Sequence, residues 1–128
     1  MRYSWIPGTV LAAVLASGQA QNPGFERKVL DTADLSTPGK QAAVVDVIIQ
    51  PGANIGRHTH PGEEATQIVE GQGELTIAGR PPRTVKAGEA FIVPSGVAHD
   101  IRNTGTTRLR AAVVFIVDKG KPLATPAP

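Results

Sequence analysis

The chain has 128 residues with 13 Lys and Arg against 11 Asp and Glu, room for one domain and a modest core. Charges of both signs are interspersed and only 4% of residues are aromatic, so there is no basic stripe with aromatics between the charges, and no nucleic-acid partner is expected. The lack of cysteine excludes a disulfide framework and a thiolate metal site, which leaves nitrogen and oxygen donors for any metal.

Residues 1–20, MRYSWIPGTVLAAVLASGQA, begin with one basic residue, Arg2, pass through the apolar run Val10 to Ala16 and end in small residues. That order is the pattern of a secretory signal peptide cut after Ala20, and the apolar run is too short to span a bilayer. The mature protein is therefore expected in the periplasm or outside the cell, with no membrane attachment after cleavage. Gln21-Asn22-Pro23-Gly24 interrupts structure before the next segment.

Residues 25–35, FERKVLDTADL, read equally as a first strand or a short helix covering a sheet edge. AAVVDVIIQ (42–50) is rich in β-branched residues and ends at Pro51-Gly52, a strand followed by a turn. TQIVEG, GELTIAG, TVKAG, EAFIVPSG, AHDIRNTG and RLRAAVVFIV follow, each bounded by Gly, Pro or Asn-Thr-Gly. Short runs between regularly recurring turns predict an all-β sandwich or jelly roll, and no sustained 3.6-residue period competes with it. The tail GKPLATPAP (120–128), with its prolines and small residues, is expected to be extended or disordered and untethered.

All three histidines lie beside Gly/Pro turns: His58 and His60 before Pro61-Gly62, and His99 after Pro94-Ser95-Gly96. If 57–61 and 64–70 are strands, the two-residue period puts His58, His60 and Glu64 on one face, with Pro61-Gly62 as the bend. A strand over 97–103 is expected to pair beside them. Glu63 has the opposite parity and is expected in solvent. Three imidazoles and a carboxylate form a mixed nitrogen and oxygen set suited to Mn, Fe, Ni, Zn or Co. A single histidine on a strand is more often a surface residue, so the spacing alone leaves both readings open.

The two segments resemble the motifs of the cupin superfamily. Its first motif, Gly, five residues, His-x-His, three or four residues, Glu, six residues, Gly, is matched by Gly52, His58, His60, Glu64 and Gly71. Its second, Gly, five residues, Pro-x-Gly, two residues, His, three residues, Asn, is matched by Gly88, Pro94, Gly96, His99 and Asn103. The resemblance covers residues 50–117 and implies a small single-domain cupin over 21–119, a double-stranded β-helix or jelly-roll barrel that 25–49 would complete. It further implies His58, His60, Glu64 and His99 as ligands of a divalent transition metal (Fe, Mn, Ni or Zn), with a homodimer as the expected assembly. Gly52, Gly71, Gly88 and Gly96 would take turn roles, and Asn103 would cap a turn.

Within the superfamily, Glu64 is the candidate catalytic residue, able to leave the metal and act as a base. The only tyrosine, Tyr3, falls in the presumed signal, which disfavours the metal-free sugar epimerases that use a His and Tyr pair. Glu64 itself disfavours the thiol dioxygenases, which lack that ligand. Oxalate-degrading relatives are usually two-domain chains with an arginine; Arg57 and Arg102 are the candidates for such an anion clamp, although a surface role suits both. The inward parity of Thr66, Ile68, Val97 and Ile101 predicts an apolar pocket. The resemblance therefore points first to a dioxygenase-like enzyme acting on a small organic substrate, similar to the quercetin-dioxygenase-like cupins. The alternatives are a non-catalytic exported module that binds a metal or small ligand, and a metal-assisted sugar-acid isomerase or lyase.

Overall fold

A computed structural model describes residues 23–128; the expected signal peptide, 1–20, and Tyr3 within it lie outside the described residues. The described chain forms ten strands and no helix: β1 (Phe25–Asp34), β2 (Lys40–Ile49), β3 (His58–Thr59), β4 (Gly62–Glu70), β5 (Gln72–Ile77), β6 (Arg83–Lys86), β7 (Ala90–Val93), β8 (His99–Asn103), β9 (Leu109–Asp118) and β10 (Thr125–Pro126). They build two five-stranded antiparallel sheets, ordered β1-β2-β9-β4-β7 and β10-β3-β8-β5-β6. The all-β jelly-roll expectation is met.

Strict alternation produces the core. Val45, Val47 and Ile49 of β2, and Ala111, Val113, Phe115 and Val117 of β9, point inward and are buried. Leu75, Ile77, Val85 and Ile101 of the second sheet join them in one cluster. Each fully buried Val, Ile, Leu or Phe contributes roughly 1.5–3 kcal/mol, and this interior fixes the register, since a one-residue slip would turn every such side chain outward.

The ambiguous segment 25–35 is a strand. It forms the edge of the first sheet, largely exposed, with an irregularity between Val29 and Asp31 that locally bends it. On the outer face of the same sheet, ladder partners Val44, Val114, Ala65 and Ile92 line up across four strands, with Val44, Val114 and Ile92 substantially exposed.

Two expectations need correcting. The tail is extended but not untethered: β10 pairs with β3, Thr125 opposite Thr59 and Pro126 opposite His58, and Ala124 is buried. Its backbone groups find partners on an edge that β3 would otherwise leave open, which composition could not reveal. In addition, the strands around the first motif do not run side by side. The chain crosses from one sheet to the other between His60 and Gly62, so β8 pairs with β3 through His58 and His99 but not with β4. Gly62 makes the crossing possible by close approach: a Cβ there would lie 1.9 Å from the Ile116 carbonyl oxygen.

Candidate metal centre

The sheet crossing sets the geometry of the site. β3 and β8 present His58 and His99 from one sheet, β4 presents Glu64 from the other, and His60 sits at the corner between them. All four side chains are buried. The three histidines bring one ring nitrogen each to within 4.8 Å of the others. Glu64 Oε2 is 3.3 Å from His99 Nε2, and Glu64 Oε1 is 3.9 Å from His60 Nε2. Alternation along β4 leaves Glu63 exposed, as expected.

Backbone carbonyls decide which nitrogen of each ring faces inward. Nδ1 of His58 lies 2.6 Å from the Gly56 carbonyl, Nδ1 of His60 lies 2.7 Å from that of Leu123, and Nδ1 of His99 lies 2.9 Å from that of Val97. A carbonyl oxygen only accepts, so each Nδ1 must donate, and in the neutral ring Nε2 is left with a bare lone pair. His58 Nε2 and His60 Nε2 then stand 3.1 Å apart, lone pair facing lone pair, a contact that a proton or a cation has to relieve. Glu64 Oε2 and His99 Nε2 are close but not aligned for a hydrogen bond, and together with Thr66 Oγ1 they are buried polar atoms without a partner. Orphaned acceptors converging from two sheets fit a cation, and three neutral imidazoles with a carboxylate suit a first-row divalent metal.

The electrostatics favour neutral His58 and His60 beside an ionised Glu64, whereas His99 shares a proton with that carboxylate more readily. Burial pushes His60 down to about 4 against the pull of the Leu123 carbonyl and Glu64, and burial likewise lowers His58, so both rings stay neutral near pH 7. For His99, burial lowers the pKa but contact with Glu64 outweighs it, and the net shift is upward. Burial acts on Glu64 in the opposite sense, raising it, yet the neighbouring histidines, His99 foremost, hold the carboxyl below its ordinary range.

Phe115 packs its ring 4.5 Å from that of His60, and Ile101 and Val113 add to the apolar interior. Asn103 lies at the base of β8, where Nδ2 donates to the carbonyls of Ile49 and Thr107 and Oδ1 accepts from Gly105 N–H. That is the expected turn cap, extended to a second strand. Gly52, Gly71, Gly88 and Gly96 all have positive φ, consistent with turn roles.

Two histidines separated by one residue, a bend, a carboxylate from the opposite sheet and a third histidine across a ladder reproduce both motifs in three dimensions. The family model of the cupin domain matches residues 45–116, more than half of the chain. The chain is a cupin. Among its relatives, an oxalate-binding protein of Thermotoga maritima is 37% identical over 70 residues, which cover 54% of this cupin and 57% of that protein. The cupin thus spans little more than half the length of that relative. A DMSP lyase from Ruegeria pomeroyi superposes with a TM-score of 0.71 at 24% identity, covering 87% of this cupin and 57% of the lyase. An oxalate oxidase in complex with glycolate superposes with a TM-score of 0.66 at 24% identity, covering 84% and 57%. These two likenesses show the fold.

Sequence reasoning did not find three features of this cupin. The Leu123 carbonyl is one, because a backbone group carries no residue signature. Arg27 is the second: it is half-buried on β1, while Arg57 and Arg102, the arginines considered from sequence, are exposed. The third is the unpartnered hydroxyl of Thr66, whose inward parity was legible but whose isolation was not. The broad depression lined by Val44, Ala65, Gln67, Arg80, Ile92 and Val114 lies on the outer face of the first sheet, away from the inward-facing histidines.

Proposed function

We propose that His58, His60, Glu64 and His99 bind one divalent transition metal through the three Nε2 atoms and the carboxylate, and that the centre acts on a small organic molecule in a dioxygenase-like reaction. The observation that carries the metal reading is the set of three Nδ1 to carbonyl contacts, which turns three lone pairs onto one point. A metal held there by four protein groups would supply Lewis-acid polarisation of a coordinated oxygen. The chain's own residues do the rest. The carbonyls of Gly56, Leu123 and Val97 keep the rings in one orientation, Phe115 and Val113 keep water from the inner wall, and the Glu64 carboxylate would be the group to accept a proton.

A non-catalytic role is the second reading, favoured by the resemblance to a protein named for binding oxalate. One experiment separates them. Metal-free protein is supplied with Fe(II), Mn(II), Ni(II) or Zn(II), metal content is measured, and oxygen uptake is followed with catechols, flavonols and diketones. The enzyme reading expects uptake with at least one metal and its loss in Glu64→Gln. No uptake with any metal, together with tight ligand binding, would replace it by the binding module.

Export and dimerisation belong to the same proposal. The export reading rests on residues 1–20, and N-terminal sequencing of protein recovered from the native periplasm tests it. The apolar row Val44, Val114, Ala65 and Ile92 supports pairing with a second copy through the outer face of the first sheet. Light scattering on wild type and Ile92→Glu tests this: a dimer is expected for the first and a monomer for the second.

A further inference from the structure

Arg27 occupies an unusual position for a cation. Its ladder partner is Val47 and its neighbour Phe25 pairs with Ile49, both of which are buried, so the inner face of β1 carries Phe25 and Arg27. The guanidinium is half-buried, with Cζ 5.5 Å from the centre of the Phe25 ring. Lys40, the other half-buried cation among the described residues, is paired with Asp118, and Arg108, Arg110, Lys119 and Lys121 also have carboxylate partners at the surface. The Arg27 guanidinium has neither an ion pair nor a side-chain hydrogen bond within the described chain. Burial lowers its pKa while the Glu64 carboxylate raises it, and its charge reaches His58 as well, so it shares an electrostatic environment with the histidine cluster.

The ladder register shows what lies between. Across the first sheet, Arg27, Val47, Ala111 and Ile68 form one inward row, and Phe115 and Glu64 lie on another. The row between them holds Val45, Val113 and Thr66. Thr66, 5% exposed and with its hydroxyl unpartnered, is thus the polar group on the path from the histidine cluster to Arg27, and its buried row neighbours Val45, Val113 and Phe91 are apolar. A desolvated guanidinium without a counter-ion and a buried hydroxyl without a partner are both costly unless something completes them.

We propose that Arg27 and Thr66 form a carboxylate subsite of the metal centre, and that the ligand is a small organic dianion. One of its oxygens would be taken at the histidine cluster and a second carboxylate would meet the guanidinium, with the Thr66 hydroxyl donating to it. This rests on the metal reading above and narrows its substrate class, because a neutral flavonol or diketone would leave Arg27 uncompensated. Arginine suits the task because its planar fork binds a carboxylate through two parallel hydrogen bonds.

The test uses metal-loaded full chain as wild type, Arg27→Gln, Arg27→Lys and Thr66→Val. Metal content is measured first and is expected to match across the set, since neither residue is a metal ligand, and a thermal melt establishes that each variant is folded. Calorimetry with oxalate, malonate and the neutral analogue oxamide follows. Wild type is expected to bind at least one dianion and not oxamide. Binding is expected to weaken roughly tenfold to hundredfold in Arg27→Gln, less in Arg27→Lys, and roughly tenfold in Thr66→Val. Equal dianion affinity in wild type and Arg27→Gln, oxamide binding as tight as oxalate, or no binding of either dianion by metal-loaded wild type would each overturn the proposal. Absence of metal from wild type would instead overturn the metal reading, and the same titrations on metal-free protein would then show whether Arg27 still selects anions.

Discussion

Ending the chain after Lys121 removes the acceptor that orients His60, the carbonyl of Leu123 at 2.7 Å from Nδ1. It also removes the two β10 to β3 pairs, the bond from Ala127 N–H to the Arg57 carbonyl at 2.9 Å, and the buried Ala124. His60 would keep its place in the chain but lose the contact that fixes its tautomer and ring plane. Loss of such an outer partner typically lowers metal affinity 10–100-fold, or about 1.4–2.8 kcal/mol. The lower end applies if water takes over the Nδ1 proton. The assay is competition for Zn(II) or Ni(II) against a chromophoric chelator at fixed pH, with a thermal melt to establish that the shortened protein is folded. A second protein ending at Pro126 retains the Leu123 carbonyl and both strand pairs, and its affinity should stay within about threefold of the full chain, an order-of-magnitude bound on loss of one exposed hydrogen bond. A folded chain ending at Lys121 with undiminished affinity would refute the idea that Leu123 sets His60. Equal losses in both truncations would place the effect in the bond from Ala127 N–H to the Arg57 carbonyl, which both lack, and not in Leu123.

Other consequences can be measured alongside. Gly62→Ala would drive a Cβ to 1.9 Å from the Ile116 carbonyl and 2.6 Å from Val117 Cα, so a loss of about 3 kcal/mol or more is expected in denaturant unfolding. Gly79→Ala has open space and only the cost of positive φ, about 1–2 kcal/mol, and ranking the two variants checks the argument. Asn103→Ala would leave the carbonyls of Ile49 and Thr107 and the Gly105 N–H without their partner; about 3 kcal/mol of stability should be lost, read as a lower urea midpoint at unchanged slope. Metal-free protein should lose stability as pH falls from 6.5 toward 4. The unfolded chain protonates His60 first, and a folded value of about 4 against 6.5 corresponds to about 3 kcal/mol, to which the lowered His58 adds and which the raised His99 partly offsets. A thermal midpoint that rises over that interval would contradict the assignment of His60 as a buried neutral ring.

Strand content, the inward face of β2 and β9, and the identity of the clustered side chains are all legible in residue order. Alternation of apolar residues is a local property, and turn glycines and prolines mark strand ends without reference to the rest of the chain. The same local logic placed His58, His60 and Glu64 at one parity and Glu63 in solvent. Tertiary packing carries that parity across two sheets, with Gly62 at the crossing because β9 leaves no room for a side chain. It alone showed that the C-terminal segment returns to β3 and offers a carbonyl to His60, and that the inward-facing arginine is Arg27. Those features depend on which strand lies beside which, on ladder partners dozens of residues apart. A backbone carbonyl or an uncompensated charge acquires its meaning from those neighbours, and no local pattern encodes them.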